Sequence, residues 1–306
     1  MFLGSGAFAV PSLEALLRAG HEVVAVVSQP DREKGRGLQT AAPPVKVAAL
    51  AHGLPVLQPR KVRAPEAQEE LRALRPDLQV VAAYGQILPQ SLIDIAPRGT
   101  INVHGSVLPF YRGAAPVQWA IARGERETGV TTMMIDAGLD TGPTLLTRTT
   151  PIGPEETAPQ LEARLAEIGG ALLVETIAGL EAGTVRPVPQ DHARATLAPI
   201  LKKEDGRVDW TAPAEAIERR VRAFTPWPGS AATLLGRGLK IWRARVEPGP
   251  FAEAGTVTAV DREGIVVACG AGTALRLLEV QPENGKRMAA SAFSAGARLS
   301  PGARFD

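Results

Sequence analysis

Residues 78–105, LQVVAAYGQILPQSLIDIAPRGTINVHG, give the strongest indication of the fold class. The stretch opens with a near-continuous apolar run, residues 78–85, which has the length of a β-strand. It closes with a second strand-like run, residues 99–105. A strand that is apolar along its whole length is typical of a parallel sheet covered on both faces. The stretch therefore predicts the buried centre of such a sheet.

Strand-like and helix-like patterns alternate over the first 180 residues. Leu13, Leu16 and Leu17 share one face of a predicted helix, which Gly20 ends. This alternation predicts an α/β fold with a doubly wound, mostly parallel, Rossmann-like sheet. The other predicted strands cover 22–28, 54–59 and 129–138, the predicted helices cover 11–20, 45–53, 65–74, 116–124 and 158–180, and the Pro- and Gly-rich residues 29–44 form a predicted loop.

The pattern changes after residue 183. Residues 184–203 contain three prolines and little periodicity, which indicates a linker between a domain over 1–183 and a second over 204–306. After a helix at 212–224, short strand-like runs separated by Gly, Pro and Asp predict an antiparallel β-barrel. Residues 202–306 contain 16 Lys+Arg against 12 Asp+Glu. This surplus favours a polyanionic partner, and ordinary surface variation explains it equally well.

The composition is that of an ordinary globular protein. The 306 residues are 45% hydrophobic and 22% charged, with a formal net charge of +2, which excludes disordered, collagen-like and coiled-coil classes. The single cysteine, Cys269, excludes a disulfide framework and favours a reducing compartment. The apolar start lacks the basic residues of a signal peptide, and no apolar run is long enough to span a membrane, so a cytoplasmic protein is expected.

Three polar residues mark a candidate site at the ends of predicted strands. Asn102 and His104 lie two apart on a strand and so share a face, and Asp140 follows another strand in a glycine-flanked loop. Parallel sheets bind ligands at such strand ends. An amide and an imidazolium stabilise the oxyanion that forms when an external nucleophile attacks a carbonyl, and a carboxylate orients the imidazole. The structural alternative is a core histidine, with Asn102 and Asp140 capping turns.

A second motif lies at the start of the chain. Gly4, Gly6 and Ala9 match the pattern G-x-G-x-x-A, which binds a dinucleotide pyrophosphate in many proteins, and Asp31 follows about 20 residues later. Tight strand–helix turns need glycine for steric reasons alone, and Asp31 lies in a Pro-flanked loop. Packing is thus the preferred interpretation and dinucleotide binding the alternative. The four histidines lack zinc-ligand spacing, so no metal is expected.

The three polar residues lie within motifs that resemble those of the formyltetrahydrofolate-dependent formyltransferase superfamily. HGSVLP (104–109) and GLDTG (138–142) are similar to segments found across the superfamily, whereas QPDREKGRG (29–37) and RGAAPVQ (112–118) resemble its tRNA-acting branch. The resemblance extends over essentially the whole chain. Its matching segments are 28–37, 44–49, 80–89, 101–120, 127–142 and 222–230.

The resemblance implies an activity and a set of site residues. It implies 10-formyltetrahydrofolate as formyl donor without a metal, the α-amino group of methionyl initiator tRNA as acceptor, and an OB-like tRNA-binding C-terminal domain. A monomer is expected, although nothing in the sequence reports the oligomeric state. By motif match, Asn102, His104 and Asp140 correspond to the catalytic trio. The implied folate contacts are Tyr84, Gly85, Gln86, Ile87, Leu88, Ser106, Val107, Leu108, Pro109, Ile135, Asp136, Ala137, Gly138 and Leu139.

Basic residues in three places are candidate tRNA contacts. The 29–44 loop matches a segment that engages the acceptor stem, although without the resemblance a solvated loop explains it as well. Two further groups belong to the helix and one strand of the β-domain, where Lys240 is predicted to face away from Arg243 and Arg245. The candidates are Arg32, Lys34, Arg36 and Lys46, then Arg219, Arg220 and Arg222, then Lys240, Arg243 and Arg245.

Two departures from the superfamily pattern are visible. Only three residues precede Gly4, which is short for a central strand of about five residues, and Val107 replaces a usual leucine. Three rival functions stay open: formylation of a sugar-nucleotide or other small amine, RNA binding by a chain with a vestigial enzyme, and a dinucleotide oxidoreductase. The β-domain argues against the first, and the intact polar trio argues against the second.

Overall fold

The computed structural model describes residues 1–34, 39–249 and 252–306. Their contacts define two units that are not consecutive in sequence. The first comprises Met1–Pro116, Glu127–Pro151 and Leu161–Ala198, and the second comprises Val117–Arg126, Ile152–Gln160 and Pro199–Asp306. Trp119 belongs to the second unit because its indole N–H donates to the Pro199 carbonyl at 2.8 Å and its ring packs edge-on against Phe224. This division differs from the predicted boundaries at residues 183 and 204, since an alternating pattern does not show what a helix packs against.

Strands of the first unit form one large sheet and one ribbon. In chain order they are β1 (Phe2–Gly4), β2 (Val26–Val27), β3 (Arg32–Lys34), β4 (Gln39–Ala41), β5 (Val56–Leu57), β6 (Gln79–Ala82), β7 (Thr100–His104), β8 (Glu127–Met134) and β9 (Thr144–Pro151). Within the described residues, the sheet order is β5-β2-β1-β6-β7-β8-β9. All pairs from β5 to β7 are parallel, which confirms the predicted mostly parallel sheet, and β8 and β9 add an antiparallel edge.

Part of the predicted loop at 29–44 is a two-stranded antiparallel ribbon. Arg32 pairs with Ala41, and Lys34 pairs with Gln39, on either side of the segment outside the described residues. The loop prediction was therefore wrong for β3 and β4. Proline, glycine and charge indicate an exposed segment, and an exposed ribbon satisfies the same composition.

The helices of the first 181 residues are α1 (Val10–Arg18), α2 (Pro44–Ala51), α3 (Pro65–Ala73), α4 (Gln90–Ile93), α5 (Pro116–Arg123) and α6 (Ala158–Glu181). A proline in the first turn of α1, α2 and α3 favours helix initiation there. Helix α6 lies directly against β7, because a Cβ at Gly169 would be 2.8 Å from a methyl group of Val103. No helix among the described residues is long and apolar enough to cross a lipid bilayer.

The second unit contains an antiparallel sheet. After α7 (Ala214–Phe224) come β10 (Ser230–Leu234), β11 (Arg237–Pro248), β12 (Val257–Asp261), β13 (Gly264–Ala268), β14 (Thr273–Pro282), β15 (Met288–Ala289) and α8 (Ala290–Ala297). The order is β10-β11-β14-β13-β12, with β15 beside β14. Phe305 bridges to Leu234 at one edge of the sheet, and Arg304 bridges to Thr256 near the other edge. The C-terminal residues thus join the two edges, and the predicted antiparallel architecture is confirmed.

An ion-pair cluster ties three strands of the second unit together. Arg276 on β14 is 8% exposed, and it donates to Glu247 on β11 and, at 2.7 Å, to Asp261 on β12. These hydrogen bonds hold the pKa values of Glu247 and Asp261 below their ordinary range. A carboxyl group with a lowered pKa in the folded state contributes stability above its unfolded pKa and loses that contribution as the pH falls.

We predict that Arg276→Met lowers the free energy of unfolding at pH 7 by about 2 kcal/mol, because two carboxylates lose charged hydrogen bonds. The difference from the wild type shrinks as the pH falls below about 4, the ordinary range of carboxyl groups, towards the lowered pKa values at which Glu247 and Asp261 become protonated in the folded protein. All four tryptophans lie in the second unit, so tryptophan fluorescence during urea unfolding measures the unfolding of that unit. Arg262→Met, at an exposed neighbouring position, is the control. A deficit independent of pH would contradict the ion-pair explanation.

Candidate active site

Strand β7 presents two polar side chains on one face of the first unit's sheet. Asn102 and His104 alternate with Ile101 and Val103, which are buried in the core. Successive residues of a strand point to opposite faces, so the buried apolar pair fixes the direction of the polar pair. Asn102 and His104 therefore share a face, as the sequence predicts.

Asp140 reaches that face by a route that the sequence does not show. The prediction places Asp140 at a strand end of a parallel sheet, yet β8 is antiparallel and its last residue, Met134, pairs with Ile101 near the start of β7. The loop after β8 folds back, so that Asp140 lies beside Asn102 and His104. The three residues meet because of this loop and not because two parallel strands end at one edge.

The loop that contains Asp140 is held from within. The Asp136 carboxylate accepts a 2.6 Å hydrogen bond from the Thr141 hydroxyl. Gly142 has no room for a side chain, because a Cβ there would lie 1.9 Å from the carbonyl oxygen of Met134. Asp140 itself has a left-handed backbone with φ of 51°, a conformation that costs an L-residue roughly 1–2 kcal/mol. The loop therefore fixes Asp140 in a backbone conformation that it would not adopt alone.

The Asp140 carboxylate is the centre of the cluster. Its Oδ2 accepts the backbone N–H of Gly113 at 2.8 Å and lies 3.7 Å from Nδ1 of His104. Its Oδ1 lies 3.5 Å from the amide nitrogen of Asn102. The histidine side chain is 6% exposed and the aspartate side chain 17% exposed. The contacts with His104 and Asn102 are longer than ideal hydrogen bonds.

A backbone carbonyl fixes the tautomer of His104. The Nε2 atom lies 2.9 Å from the carbonyl oxygen of Tyr111, which can only accept a hydrogen bond. Nε2 therefore holds a proton, and Nδ1, which faces Asp140, is the ring atom at which a proton is gained or released. The structural alternative, a core histidine with Asn102 and Asp140 capping turns, accounts for the burial of His104 and for the bond from Gly113 to Asp140, but not for the way in which the three side chains face one another.

The segment after His104 is shaped by hydroxyl groups. The Ser106 hydroxyl donates to the Phe110 carbonyl at 2.6 Å. The buried Thr131 hydroxyl donates to the Ser106 carbonyl at 2.7 Å and accepts the N–H of Leu108 at 3.2 Å. These bonds hold the turn that contains the implied folate contacts Ser106, Val107, Leu108 and Pro109. Sequence reasoning missed Thr131, because a threonine within a strand gives no signal of its own.

The other implied folate contacts divide into buried and exposed groups. Tyr84 is 2% exposed, and burial raises its pKa to about 12. Ile87 and Leu139 are strongly exposed, at 92% and 63%. Leu88 and Ile135 pack against the core, and Gln86 forms hydrogen bonds with backbone groups of Val62 and Pro59. The Gly138 N–H donates to the Asp136 carboxylate within the loop. Gly85 and Ala137 are exposed.

The basic candidates near the start of the chain have local partners. Lys46 donates to both Asp31 oxygens, at 2.8 and 2.9 Å, and Arg32 donates to Gln29. Bonds from Gln58 and Lys46 lower the pKa of Asp31. Lys34 is placed through the backbone of β3, and the predicted contact Arg36 lies outside the described residues.

The basic residues of α7 differ in how far their charges are compensated. Arg222 pairs with Glu218 at 2.7 Å, and its side chain is 14% exposed. Arg220 donates to the Asp205 carbonyl and covers the ring of Phe224. Arg219 lines a cavity of about 350 Å³ within the second unit, and its buried Nε has no partner among the described residues.

A β-bulge changes which residues of β11 face outward. The pairing with β14 shifts between Ile241 and Arg243, so the inward positions change from Leu239 and Ile241 to Ala244 and Val246. The prediction that Lys240 faces away from Arg243 and Arg245 was therefore wrong, and all three are exposed on the outer face. Arg245 is paired with Glu247 and Glu263. Lys240 and Arg243 have no ionic partner in the described part of the chain.

Packing accounts for the glycine of the dinucleotide-like motif. A Cβ at Gly4 would be 2.8 Å from the Phe2 ring, 3.0 Å from the Ala82 carbonyl oxygen and 3.0 Å from the Ala9 methyl group. The Asp31 carboxylate accepts hydrogen bonds from Lys46 and Gln58. Strand β1 keeps its central position with three buried residues. The motif therefore has a steric explanation that needs no ligand.

Family models match both parts of the chain. The model described as Formyl transferase matches residues 1–177, and the model described as Formyl transferase, C-terminal domain matches residues 200–298. The chain therefore belongs to the formyl transferase family. It is 58% identical over 301 residues to the methionyl-tRNA formyltransferase of Solibacter usitatus, with 98% of this chain and 96% of the relative covered.

Solved structures share the fold at low identity. The sugar 3N-formyl transferase WlaRD has a TM-score of 0.69 at 18% identity, with 93% of this chain and 97% of that chain covered. HypX from Aquifex aeolicus has a TM-score of 0.65 at 20% identity, with 96% of this chain covered. The chain spans about half of HypX, 46% of its length. These likenesses establish the fold.

We predict that Tyr84→Phe raises the free energy of unfolding by up to about 1 kcal/mol. The buried Tyr84 hydroxyl has no hydrogen-bond partner in the described part of the chain, so its removal relieves a desolvation cost. Urea unfolding followed by circular dichroism measures the change. In an ultraviolet titration of the folded wild type, the Tyr84 phenol stays protonated at pH 11. A less stable variant would show that this hydroxyl contributes a stabilising bond.

Proposed function

We propose that this protein transfers the formyl group of 10-formyltetrahydrofolate to the α-amino group of methionyl initiator tRNA. The observation that carries the proposal is the cluster in which Asn102 and His104 both face the carboxylate of Asp140. The 58% identity to a methionyl-tRNA formyltransferase over nearly the whole chain supports the choice of acceptor. The reaction takes place in the cytoplasm, where initiator tRNA is used.

The reaction is a direct acyl transfer. The amine nitrogen forms a bond to the formyl carbon, the bond from that carbon to folate N10 breaks, and one proton moves from the amine to N10. The Asn102 amide and the protonated Nδ1 of His104 stabilise the oxyanion of the tetrahedral intermediate. Asp140 faces that same Nδ1, so it orients the ring and assists the proton transfer.

The folate contacts lie on the segments around this trio. Residues 106–109 begin two positions after the end of β7, and residues 135–139 belong to the loop that presents Asp140. The exposed apolar side chains of Ile87 and Leu139 supply contact area for a pterin ring. Related structures support a folate: HypX was solved with tetrahydrofolic acid, and WlaRD in the presence of dTDP and 5-N-formyl-THF.

Lys240 and Arg243 are the main proposed tRNA contacts of the second unit. Both are exposed on the outer face of β11, and neither charge is compensated by a carboxylate in the described residues. Uncompensated cations release counterions from a phosphate backbone most effectively. The other proposed tRNA contacts are Arg219, Arg220, Arg222 and Arg245 in the second unit and, near the start of the chain, Arg32, Lys34, Lys46 and Arg36, the last of which lies outside the described residues. We assign the OB-like, tRNA-binding role to the antiparallel sheet of the second unit, which lies within residues 204–306.

The proposed reaction is tested with charged initiator tRNA and 10-formyltetrahydrofolate under single-turnover conditions. The wild type forms formyl-methionyl-tRNA, and His104→Ala and Asp140→Ala lower the rate by about 10²–10³-fold, the effect of losing one oxyanion-stabilising group. His21→Ala is the control, because His21 lies in the α1–β2 connection. Near-wild-type rates for both variants would refute the assignment. A wild type that formylates a sugar-nucleotide amine instead would refute the acceptor.

The tRNA surface is tested by the salt dependence of tRNA binding. The double variant Lys240→Ala/Arg243→Ala lowers the slope of log K against log salt by about 2, because about one phosphate contact is lost for each cation. Arg245→Ala is the matched comparison and has a smaller effect, since its charge already pairs with Glu247 and Glu263. Equal slopes for all proteins would contradict a phosphate contact at β11.

A further inference from the structure

A buried glutamine connects the two segments that hold the catalytic cluster. Gln190, in the last segment of the first unit, is 8% exposed. Its amide nitrogen donates to the carbonyl oxygens of Asp140, at 2.9 Å, and Gly142, at 2.7 Å. Its amide oxygen accepts from Arg112 Nε, at 3.1 Å, and from Arg112 Nη2, at 2.6 Å. Both hydrogens and both lone pairs of this amide are therefore used.

The partners of Gln190 fix its orientation. Arginine nitrogens only donate, and backbone carbonyls only accept, so the amide cannot flip without losing every bond. Arg112 is itself buried, at 5% exposure, and its other side-chain contact is Nδ1 of His192 at 3.1 Å. Within the described residues, neither side-chain partner of Arg112 is a carboxylate. The arginine is thus held by neutral groups, and Gln190 supplies two of its bonds.

The segment around Arg112 also contacts both titratable groups of the cluster. The preceding Tyr111 carbonyl accepts Nε2–H of His104, and the following Gly113 N–H donates to the Asp140 carboxylate. Gln190 ties this same segment to the backbone of Asp140. The distance between imidazole and carboxylate therefore depends on two loops that one side chain joins.

The backbone conformation of Asp140 explains why its loop needs the hydrogen bonds from Gln190. Its left-handed φ of 51° is unfavourable for an L-residue, so the loop relaxes unless outside contacts hold it. The bonds to the Asp140 and Gly142 carbonyls act on either side of Thr141 and hold this turn. A displacement of a reacting group by about 1 Å costs about 10²-fold in rate.

We propose that Gln190 is a positioning residue that sets the place of the Asp140 carboxylate relative to His104 and Asn102. The inference rests on the proposed function, since it assigns Asp140 the role given there. Gln190 does not touch the reacting atoms. It acts by donating two hydrogen bonds to the backbone of the Asp140 loop, while Arg112 holds its oxygen in place.

The test uses Gln190→Glu, which separates positioning from stability. The new carboxylate still accepts from Arg112 and forms an ion pair with it, so the protein stays folded. It cannot donate to the Asp140 and Gly142 carbonyls and repels them instead. We expect the single-turnover rate of formyl transfer to fall about 10–100-fold, with the KM values for folate and tRNA changed less than twofold. Gln68→Glu, at a glutamine 9% exposed outside the cluster, is the matched control.

A double-mutant cycle shows whether Gln190 acts through Asp140. In an Asp140→Ala background, Gln190→Glu is expected to lower the rate less than twofold further, because the carboxylate that it positions is already absent. A full additional loss would overturn the proposal and indicate a general structural role. An active Gln190→Glu with wild-type kcat would overturn it as well. An inactive wild type would instead refute the proposed function, so the two failures are distinguishable.

Discussion

The hydrogen bond from the Gly113 N–H to the Asp140 carboxylate is the contact on which the geometry of the site depends. It joins the segment after β7 to the loop after β8, and at 2.8 Å it is the shortest of the three contacts to that carboxylate. A backbone donor does not change rotamer, so it fixes the carboxylate more firmly than a side chain does. His104 and Asn102 then face a carboxylate whose position the main chain has set.

The scaffold around this bond is built for rigidity. Helix α6 lies close to β7 through Gly169, and the turn after His104 is tied to β8 by the Thr131 hydroxyl. The Tyr111 carbonyl removes one choice of proton position on the imidazole. Backbone groups and buried hydroxyls thus determine the site as much as its three polar side chains do. Such preorganisation lowers the cost of stabilising charge during the reaction.

The sequence predicted the sheet and the polar trio better than it predicted their connections. Periodicity located β6 and β7 and the shared face of Asn102 and His104, because burial imposes a pattern on consecutive residues. It did not reveal that β8 is antiparallel, since strand direction leaves no mark on apolar alternation. The sequence also did not predict the bulge in β11, which puts Lys240 on the same outer face as Arg243 and Arg245. One extra residue reverses the alternation of inward and outward side chains beyond that point. Gln190 lay in a Pro-rich segment without periodicity, where only long-range contacts give a residue its place.

The interleaved composition of the two units bears on how the chain acquires its fold during synthesis. Residues 117–126 and 152–160 leave the ribosome well before residue 199, yet they belong with the segment that begins there. Until that segment emerges, the indole of Trp119 lacks both Pro199 and Phe224. A nascent chain therefore exposes unpartnered apolar surface through the last third of translation, and a fragment cut out at residue 204 lacks two segments that belong to the second unit.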